Sequence, residues 1–367
     1  MAKILINLAE LLNLQLFANA GTVNNTTKGT VDAYAGAGAS YTDPTNGHTM
    51  SPTMKTYYDT ELLENSREKL IFQQLGKKFP LPANHGSTLE WRKWDTLPDA
   101  DALKEGVIPE GKALGMTVKT AAVAQYGEYV TISDMLELHA IDNTILGATE
   151  ELGAAAGLTY DKLVRAVLMA HTNAMFADAY TAAGAFDSTP STRANLKTAI
   201  TGGKVCMLTA DTVNKAATAL RKANAPYYIG NKYVALIHPS VTYDLRKDKD
   251  WVEAHKYAAP EEIFNGEIGE LHGVRFIEST LCPIINDGGT KIYQTIFLGK
   301  DPYGVIDVVG DNMQTIIKTK EQVGGPLNQF STVGAKFEMG AAILYPERVL
   351  LVESSSSYAA SDAANVA

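Results

Sequence analysis

The sequence predicts a folded protein of the α+β class. One long segment has the apolar spacing of an amphipathic helix, whereas much of the second half consists of short, strand-like runs with helices between them. The order of these elements is irregular and shows no repeating strand–helix–strand unit, which a doubly wound or barrel fold would require. With 367 residues, of which 46% are hydrophobic, the chain can bury a sizeable core that is divided between domains. We therefore expect an α+β fold with more than one domain.

The first 50 residues are predicted to form an arm rather than a domain. Residues 21–50 are rich in small and polar side chains and hold too few large apolar ones to form a core. Residues 1–20 end in Ala-Asn-Ala, which resembles a secretory cleavage site, but polar residues interrupt their apolar run. We interpret this stretch as an amphipathic helix with four leucines on one face. These are Leu5, Leu8, Leu12 and Leu16.

A helix and a long hairpin are predicted after the arm. Ser51-Pro52 is a typical helix start and Gly76 marks its end. Residues 87–94 alternate apolar and polar side chains, and 116–132 form a second extended run. The loop between these runs is acidic and contains two prolines. The pattern predicts a β-hairpin that projects from the body.

The clearest helix prediction covers residues 142–173, where apolar side chains recur at spacings of 3, 4 or 7. Gly147, Gly153 and Gly157 each cost about 1 kcal/mol relative to Ala in a helix. We therefore expect close packing against another element at these glycines. The other predictions are helices at 211–224 and 240–248 and strands at 232–238, 273–278, 292–298, 305–309, 315–319, 333–344 and 349–353. The Ser- and Ala-rich residues 354–367 are predicted to be disordered.

A partial phosphate-binding motif at residues 106–113 is better explained as a turn at the hairpin tip. Ala113 follows Lys112 where Mg²⁺ binding requires Ser or Thr. Pro109 lacks the amide N–H that a phosphate cradle needs, and Glu110 would repel phosphate. The segment therefore gives little support to a nucleotide-dependent enzyme.

His238, Ser240 and Asp244 are the residue types of a hydrolytic triad, but the sequence has no nucleophile elbow around a serine. His238-Pro239-Ser240 is more simply the end of a strand followed by a helix that Ser240 caps. We therefore predict no catalytic residues.

No metal site is predicted. Glu267, Glu270 and His272 lie in a Gly-rich segment without a second histidine. The two cysteines, Cys206 and Cys282, fit no metal-ligand spacing and are expected to be buried, reduced thiols. No cofactor is predicted, and no segment beyond the N-terminus is long and apolar enough to suggest a membrane partner.

The net charge of -9 argues against a specific nucleic-acid ligand, because a DNA reader normally carries a basic surface. Two tryptophans in the hairpin flank two basic residues, a pattern that also occurs where single-stranded nucleic acid stacks. Because the neighbouring loop is acidic, we favour a contact with another subunit. The candidate contact residues are Trp91, Arg92, Trp94, Leu16 and Phe17.

Several segments together resemble the tailed-bacteriophage major capsid family that includes the phage N-four shell protein. Each motif is unspecific alone, and their order and spacing over residues 54–353 carry the resemblance. The segments are LQLFA at 14–18, MKTYYDTELLEN at 54–65, QYGEYVTISD at 125–134, IFNGEIGEL at 263–271 and GVRF at 273–276.

The resemblance implies the shell fold shared by tailed phages and encapsulins. That fold has an N-terminal arm, an extended hairpin loop, a peripheral domain with a long spine helix, and an axial domain. The expected parts are the arm at 1–50, the first helix of the peripheral domain at 51–77, the hairpin loop at 78–132, the peripheral domain with the spine helix at 133–190, the axial domain at 191–310, the return strands of the peripheral domain at 311–353 and the disordered tail at 354–367.

The implied function is that of a major capsid protein, a non-enzymatic subunit whose pentamers and hexamers form an icosahedral head around the DNA genome. The arm is too short to include a scaffolding domain, so the resemblance implies a separate scaffolding protein. Further expected partners are a portal protein, a decoration protein and packaged double-stranded DNA, contacted non-specifically. Assembly is expected in the cytoplasm of a bacterial host, and the product is the virion. The alternatives are an encapsulin-like nanocompartment shell and a nucleotide-dependent enzyme that uses residues 106–113.

Overall fold

A computed structural model describes residues 70–82, 86–102, 105–106, 108, 111–139, 144–255, 269–308, 314–323, 327–358 and 362–366. The predicted arm, with Leu16 and Phe17, and most of the first predicted helix lie outside these residues. Only the end of that helix is described.

Helices and strands alternate irregularly along the described chain, as the α+β prediction requires. The helices are α1 (Phe72–Leu75), α2 (Asp134–His139), α3 (Thr144–Met169), α4 (Arg193–Thr201), α5 (Ala210–Lys222), α6 (Pro239–Leu245), α7 (Lys249–His255) and α8 (Lys320–Val323), with a 3-10 turn at Pro346–Arg348. The strands are β1 (Lys77–Leu81), β2 (Thr88–Trp94), β3 (Met116–Ala122), β4 (Ala124–Ser133), β5 (Ala174–Phe176), β6 (Ala179–Tyr180), β7 (Phe186–Ser188), β8 (Tyr233–Ile237), β9 (Glu270–Leu271), β10 (Val274–Glu278), β11 (Ile284–Asp287), β12 (Thr290–Leu298), β13 (Tyr303–Val308), β14 (Gln314–Lys318), β15 (Phe330–Ile343) and β16 (Val349–Ser354).

The chain divides into two compact units. The smaller includes Glu128–Leu152 and Thr315–Ala335, and the larger includes Arg67–Gly127, Gly153–Gln314 and Lys336–Ala367. In the smaller unit β4 and β14 both pair with β15. In the larger unit β13 pairs with β1 in parallel and with β15 in antiparallel orientation.

The core of the larger unit is a seven-stranded mixed sheet with the order β5-β16-β12-β8-β10-β9, in which β11 also pairs with β12. Strands β8 and β10 are parallel, whereas β12 is antiparallel to β8 and β16. Every residue of β8 is buried, because the strand is central and covered on both faces. The sheet includes β5 and β16, so it draws on sequence outside the 191–310 segment expected to form one domain.

Helix α5 covers this sheet because its apolar side chains fall on one face. Val213, Ala216, Ala217 and Leu220 repeat at spacings of 3 and 4 and are all buried. The Thr209 side chain caps the helix by accepting a hydrogen bond from the Thr212 N–H at 3.3 Å. Burial of a large apolar side chain contributes about 1.5–3 kcal/mol, so this face accounts for the position of the helix.

The helix predicted at 142–173 is present as α3, and one of its glycines packs closely against another part of the chain. A Cβ on Gly157 would lie 2.8 Å from the Cδ1 atom of Leu70, so any larger residue would require the leucine side chain to move. Gly147 faces open space, and the prediction of close packing there is wrong. The strands and other helices predicted from residue 211 onward are present with ends within three residues of those expected.

Two local predictions need correction. Helix α6 begins one residue early: His238 is the N-cap and Pro239 the first helical residue, so Ser240 lies inside the helix. The C-terminal residues described beyond Ser354 are not disordered but bound to the body of the larger unit by hydrogen bonds, among them one from the Ser357 N–H to Asp244 at 2.8 Å. Composition alone missed this docking because small polar residues carry no periodic signal.

Candidate intersubunit contact sites

The predicted hairpin is present as a two-stranded ribbon of β2 and β3. Seven residues of each strand are paired, from Thr88 opposite Ala122 to Trp94 opposite Met116. Directly opposed residues of an antiparallel pair point to the same face, so the register assigns every side chain to one of two faces. We call the face with Leu89 and Trp91 the inner face and the face with Trp94 the outer face.

The inner face packs against the larger unit. Trp91 meets Phe79 of β1 edge to face, with ring centroids 5.3 Å apart. Trp91 and Leu89 both pack against a small apolar cluster that includes Ile306. Trp91, one of the candidate contact residues, is therefore half-buried against its own chain, where β1 supplies part of the covering surface.

The part of the outer face around Trp94 is apolar, and it is exposed in the part of the chain that the structure describes. Trp94 is 63% exposed, and its cross-strand partner Met116 and the neighbouring Val118 are each 43% exposed. Arg92 shares this face and pairs with Glu90 at 2.7 Å. Exposed apolar residues that are contiguous and rimmed by charges are typical of a protein–protein contact. Met116 and Val118 were not among the residues expected from the sequence, since the strand pairing that places them beside Trp94 is a tertiary feature.

The loop beyond the ribbon is acidic and has exposed apolar residues, among them Ile108, Leu97 and Leu114. The Asp95 N–H donates to the Gly115 carbonyl at 3.0 Å and closes the ribbon. Lys112, the cation of the partial phosphate-binding motif, pairs with Asp101 at 3.1 Å. This carboxylate would compete with any phosphate, which agrees with the interpretation of the segment as a turn.

A second exposed apolar surface lies in the smaller unit. Met135 and Leu138, three residues apart on one side of α2, are 61% and 75% exposed. Tyr129 of β4 is 72% exposed. Sequence reasoning missed this surface because the same side chains are equally compatible with a buried helix face.

The three triad-type residues do not form a catalytic arrangement. The His238 Nδ1 atom accepts a hydrogen bond from the Ser240 backbone N–H at 3.2 Å, and burial lowers the pKa of the ring. The Ser240 hydroxyl donates instead to Asp362 at 2.5 Å, and Asp244 accepts from Ser357. His238 is therefore not placed to take the proton of the serine, and the three residues do not act as a hydrolytic triad.

Among the described residues, no cluster of three His, Cys, Asp or Glu side chains could hold a metal ion. Glu270 pairs with Lys232, and Glu267 lies outside the described chain. Cys206 and Cys282 are buried free thiols, as expected, and burial raises the pKa of Cys206 to about 11. None of the helices in the described ranges is long and apolar enough to cross a membrane.

Comparisons with known proteins consistently match phage capsid proteins. The family model described as "Phage capsid protein" matches residues 117–349. The fold is similar to the capsid structure of Helicobacter pylori bacteriophage KHP30, with a TM-score of 0.64 at 12% identity over 83% of this chain and 96% of that one. It is similar to the capsid of Ralstonia phage GP4, with a TM-score of 0.62 at 14% identity over 83% and 96% of the two chains. The capsid structure of cyanophage P-SCSP1u gives 0.61 at 14% identity over 83% and 94%. Curated protein sequences contain no match.

Proposed function

The chain belongs to the phage capsid protein family and is a structural major capsid protein of the virion, and from this premise we propose that its pentamers and hexamers form an icosahedral head around the DNA genome. The match to the family model over residues 117–349 carries the proposal. Every structure named in the comparison is that of a phage capsid, which favours a phage head over a nanocompartment with protein cargo.

We propose that the outer face of the ribbon is a principal contact with the adjacent subunit. Its support is the exposure of Trp94, Met116 and Val118 in a subunit whose family assembles with itself. In a closed shell the same contact recurs in every copy, so a modest interface adds up to a stable container. Arg92, at the edge of this face, would set the orientation of the contact through its charge.

The division of the chain into shell parts belongs to the same proposal. Residues 1–50 act as an arm that reaches over neighbours, and Leu16 and Phe17 are its contact residues. The ribbon belongs to the hairpin loop of residues 78–132. The spine helix lies in a peripheral domain, and the seven-stranded sheet supplies most of the axial domain at the capsomer centre.

Further partners are proposed from the family alone. They are a separate scaffolding protein, a portal protein, a decoration protein and packaged double-stranded DNA held without sequence preference. Assembly takes place in the cytoplasm of the bacterial host. The negative net charge suits a wall that touches packed DNA without binding it tightly.

Electron microscopy of the purified full-length chain tests the proposal. We expect capsomers, sheets, tubes or closed shells, alone or with the scaffolding protein from the same genome. A chain that stays strictly monomeric at every concentration and salt, with and without that protein, would refute assembly into a head.

A further inference from the structure

The last described residues of the chain, 355–358 and 362–366, lie in a groove on the larger unit. The walls of the groove are helix α6, strand β12 and the loop that leads into β11. We call these residues the C-terminal segment. Backbone bridges join it to the body at Ser355 and Val366, and between them its polar side chains match the donors and acceptors of the body.

Asp244 of α6 binds the beginning of the segment. Its carboxylate accepts hydrogen bonds from both the backbone N–H of Ser357, at 2.8 Å, and the Ser357 hydroxyl. The Asp244 residue is only 6% exposed, so these bonds are shielded from water. Next to them the ring of Tyr358 lies against Tyr243, with centroids 5.2 Å apart.

Asp362 is bound further along the groove. Its carboxylate accepts hydrogen bonds from the Ser240 hydroxyl at 2.5 Å and from the Tyr293 hydroxyl at 2.6 Å. Burial would raise the pKa of Asp362, but these two hydrogen bonds, with His238 nearby, lower it below its usual value. The segment therefore presents a charged acceptor to two donors from the body.

Both polar atoms of the Asn365 side-chain amide make hydrogen bonds at the start of β11 and in the loop before it. Its Oδ1 atom accepts from the Ile284 N–H at 2.9 Å, and its Nδ2 atom donates to the Cys282 carbonyl at 2.9 Å. Arg165 of the spine helix donates to the Asn365 carbonyl at 3.0 Å. A side chain of another shape could not satisfy the donor and the acceptor of the loop together.

The segment carries few large apolar side chains, since residues 355–366 read SSSYAASDAANV. Its docking cannot rest on a hydrophobic core, because serine and alanine bury little apolar surface. It rests on the match between Ser357, Asp362 and Asn365 and the groups of the groove, which is the chemistry of sequence-specific peptide recognition.

We propose that this groove is a peptide-binding site whose ligand is the C-terminal segment of this chain. The groove is built on regular elements of a packed core, whereas the ligand is held by hydrogen bonds that can break one at a time. Because few large apolar side chains hold the segment, a free peptide of the same sequence can take its place. In the intact chain it binds at a high effective concentration, because it follows directly on β16, which ends at Ser354.

Fluorescence anisotropy on full-length protein tests the proposal with a labelled synthetic peptide of residues 355–367. In the open variant, Asp362→Ala and Asn365→Ala are combined. Its segment lacks the hydrogen bonds of both side chains and should no longer fill the groove. We expect the peptide to bind this variant at least about tenfold more tightly than wild type, whose groove is occupied by its own segment. A peptide with the same two substitutions is the matched control and should bind neither chain. Adding Ser240→Ala and Tyr293→Phe to the open variant should abolish binding of the unmodified peptide.

Hydrogen exchange provides a second measurement on the same chains. The Ser355 and Ser357 amides should be protected in wild type and should exchange at least about tenfold faster in the open variant, while amides of β8 keep their protection. Equal peptide affinity for both chains, or unprotected amides in wild type, would overturn the proposal. Neither readout involves assembly, so failure here is distinct from failure to form a shell.

Discussion

At the scale of single residues, a buried carboxylate fixes the chain just before its first strand. Asp161 of the spine helix has no exposed surface and accepts hydrogen bonds from the backbone N–H groups of Ile71, at 3.0 Å, and Gln73, at 2.7 Å. It thereby satisfies donors at the start of α1 that no residue within that short helix can satisfy.

Replacement of Asp161 by Asn should destabilise the subunit by about 1–3 kcal/mol. The amide NH₂ of Asn would face one of the two backbone N–H donors and leave that buried N–H without an acceptor. Urea unfolding followed by circular dichroism measures the change. Lys162→Gln on the next, exposed residue is the control and should stay within about 0.5 kcal/mol of wild type. Equal stability of the Asp161→Asn chain would mean that the α1 contacts contribute nothing to the fold.

At the scale of elements, the ribbon of β2 and β3 packs its inner face against its own subunit and exposes the apolar residues of its outer face. An isolated two-stranded ribbon is marginal in water, and this one is supported from its inner side by β1 and by an ion pair from Lys93 to Glu347 at 2.8 Å. Among the described residues, none packs over Trp94 or Met116 on the outer face enough to bury them. The two tryptophans therefore have different roles although they are three residues apart.

Serine substitutions should separate these roles. Trp91→Ser should lower the stability of the unassembled subunit by about 2 kcal/mol or more, because it opens a cavity beside Phe79. Trp94→Ser should change subunit stability little but cost about 2 kcal/mol at each intersubunit contact. Thermal melting of unassembled protein and light scattering of assembly report the two effects. Normal assembly of the Trp94→Ser chain would show that the outer face is not a main lateral contact.

At the scale of the whole molecule, the negative net charge limits how tightly the shell can bind its DNA. The chain has 41 acidic and 32 basic side chains. We expect unassembled subunits to bind a short DNA duplex more weakly than about 10⁻⁴ M at physiological salt, since few phosphate counterions can be displaced. Anisotropy titrations at about 50 mM and about 200 mM salt check this. Micromolar binding with a steep salt dependence would reveal a basic surface and contradict the proposed passive contact.

The sequence by itself determined the α+β class, the family and most regular elements of the described chain. Helix α3 and the strands β8, β10 and β12 to β16 were predicted from hydrophobic patterns that are local properties of the chain, whereas β9 and β11 were not predicted. The resemblance to tailed-phage capsid proteins rested on short motifs in a fixed order, and the family match confirms it. The short elements α4 and β5 to β7 were missed because so few residues give no detectable period.

Only the tertiary structure decided which surfaces remain free. Trp91 and Trp94 look alike in sequence, but β1 covers one and nothing within the described larger unit covers the other. The C-terminal segment looks disordered by composition, yet Asp362 meets Ser240 across 122 positions of sequence. Contacts between residues so far apart depend on the positions of whole elements. No local pattern encodes them, because the partner of a side chain is fixed only when the core has packed.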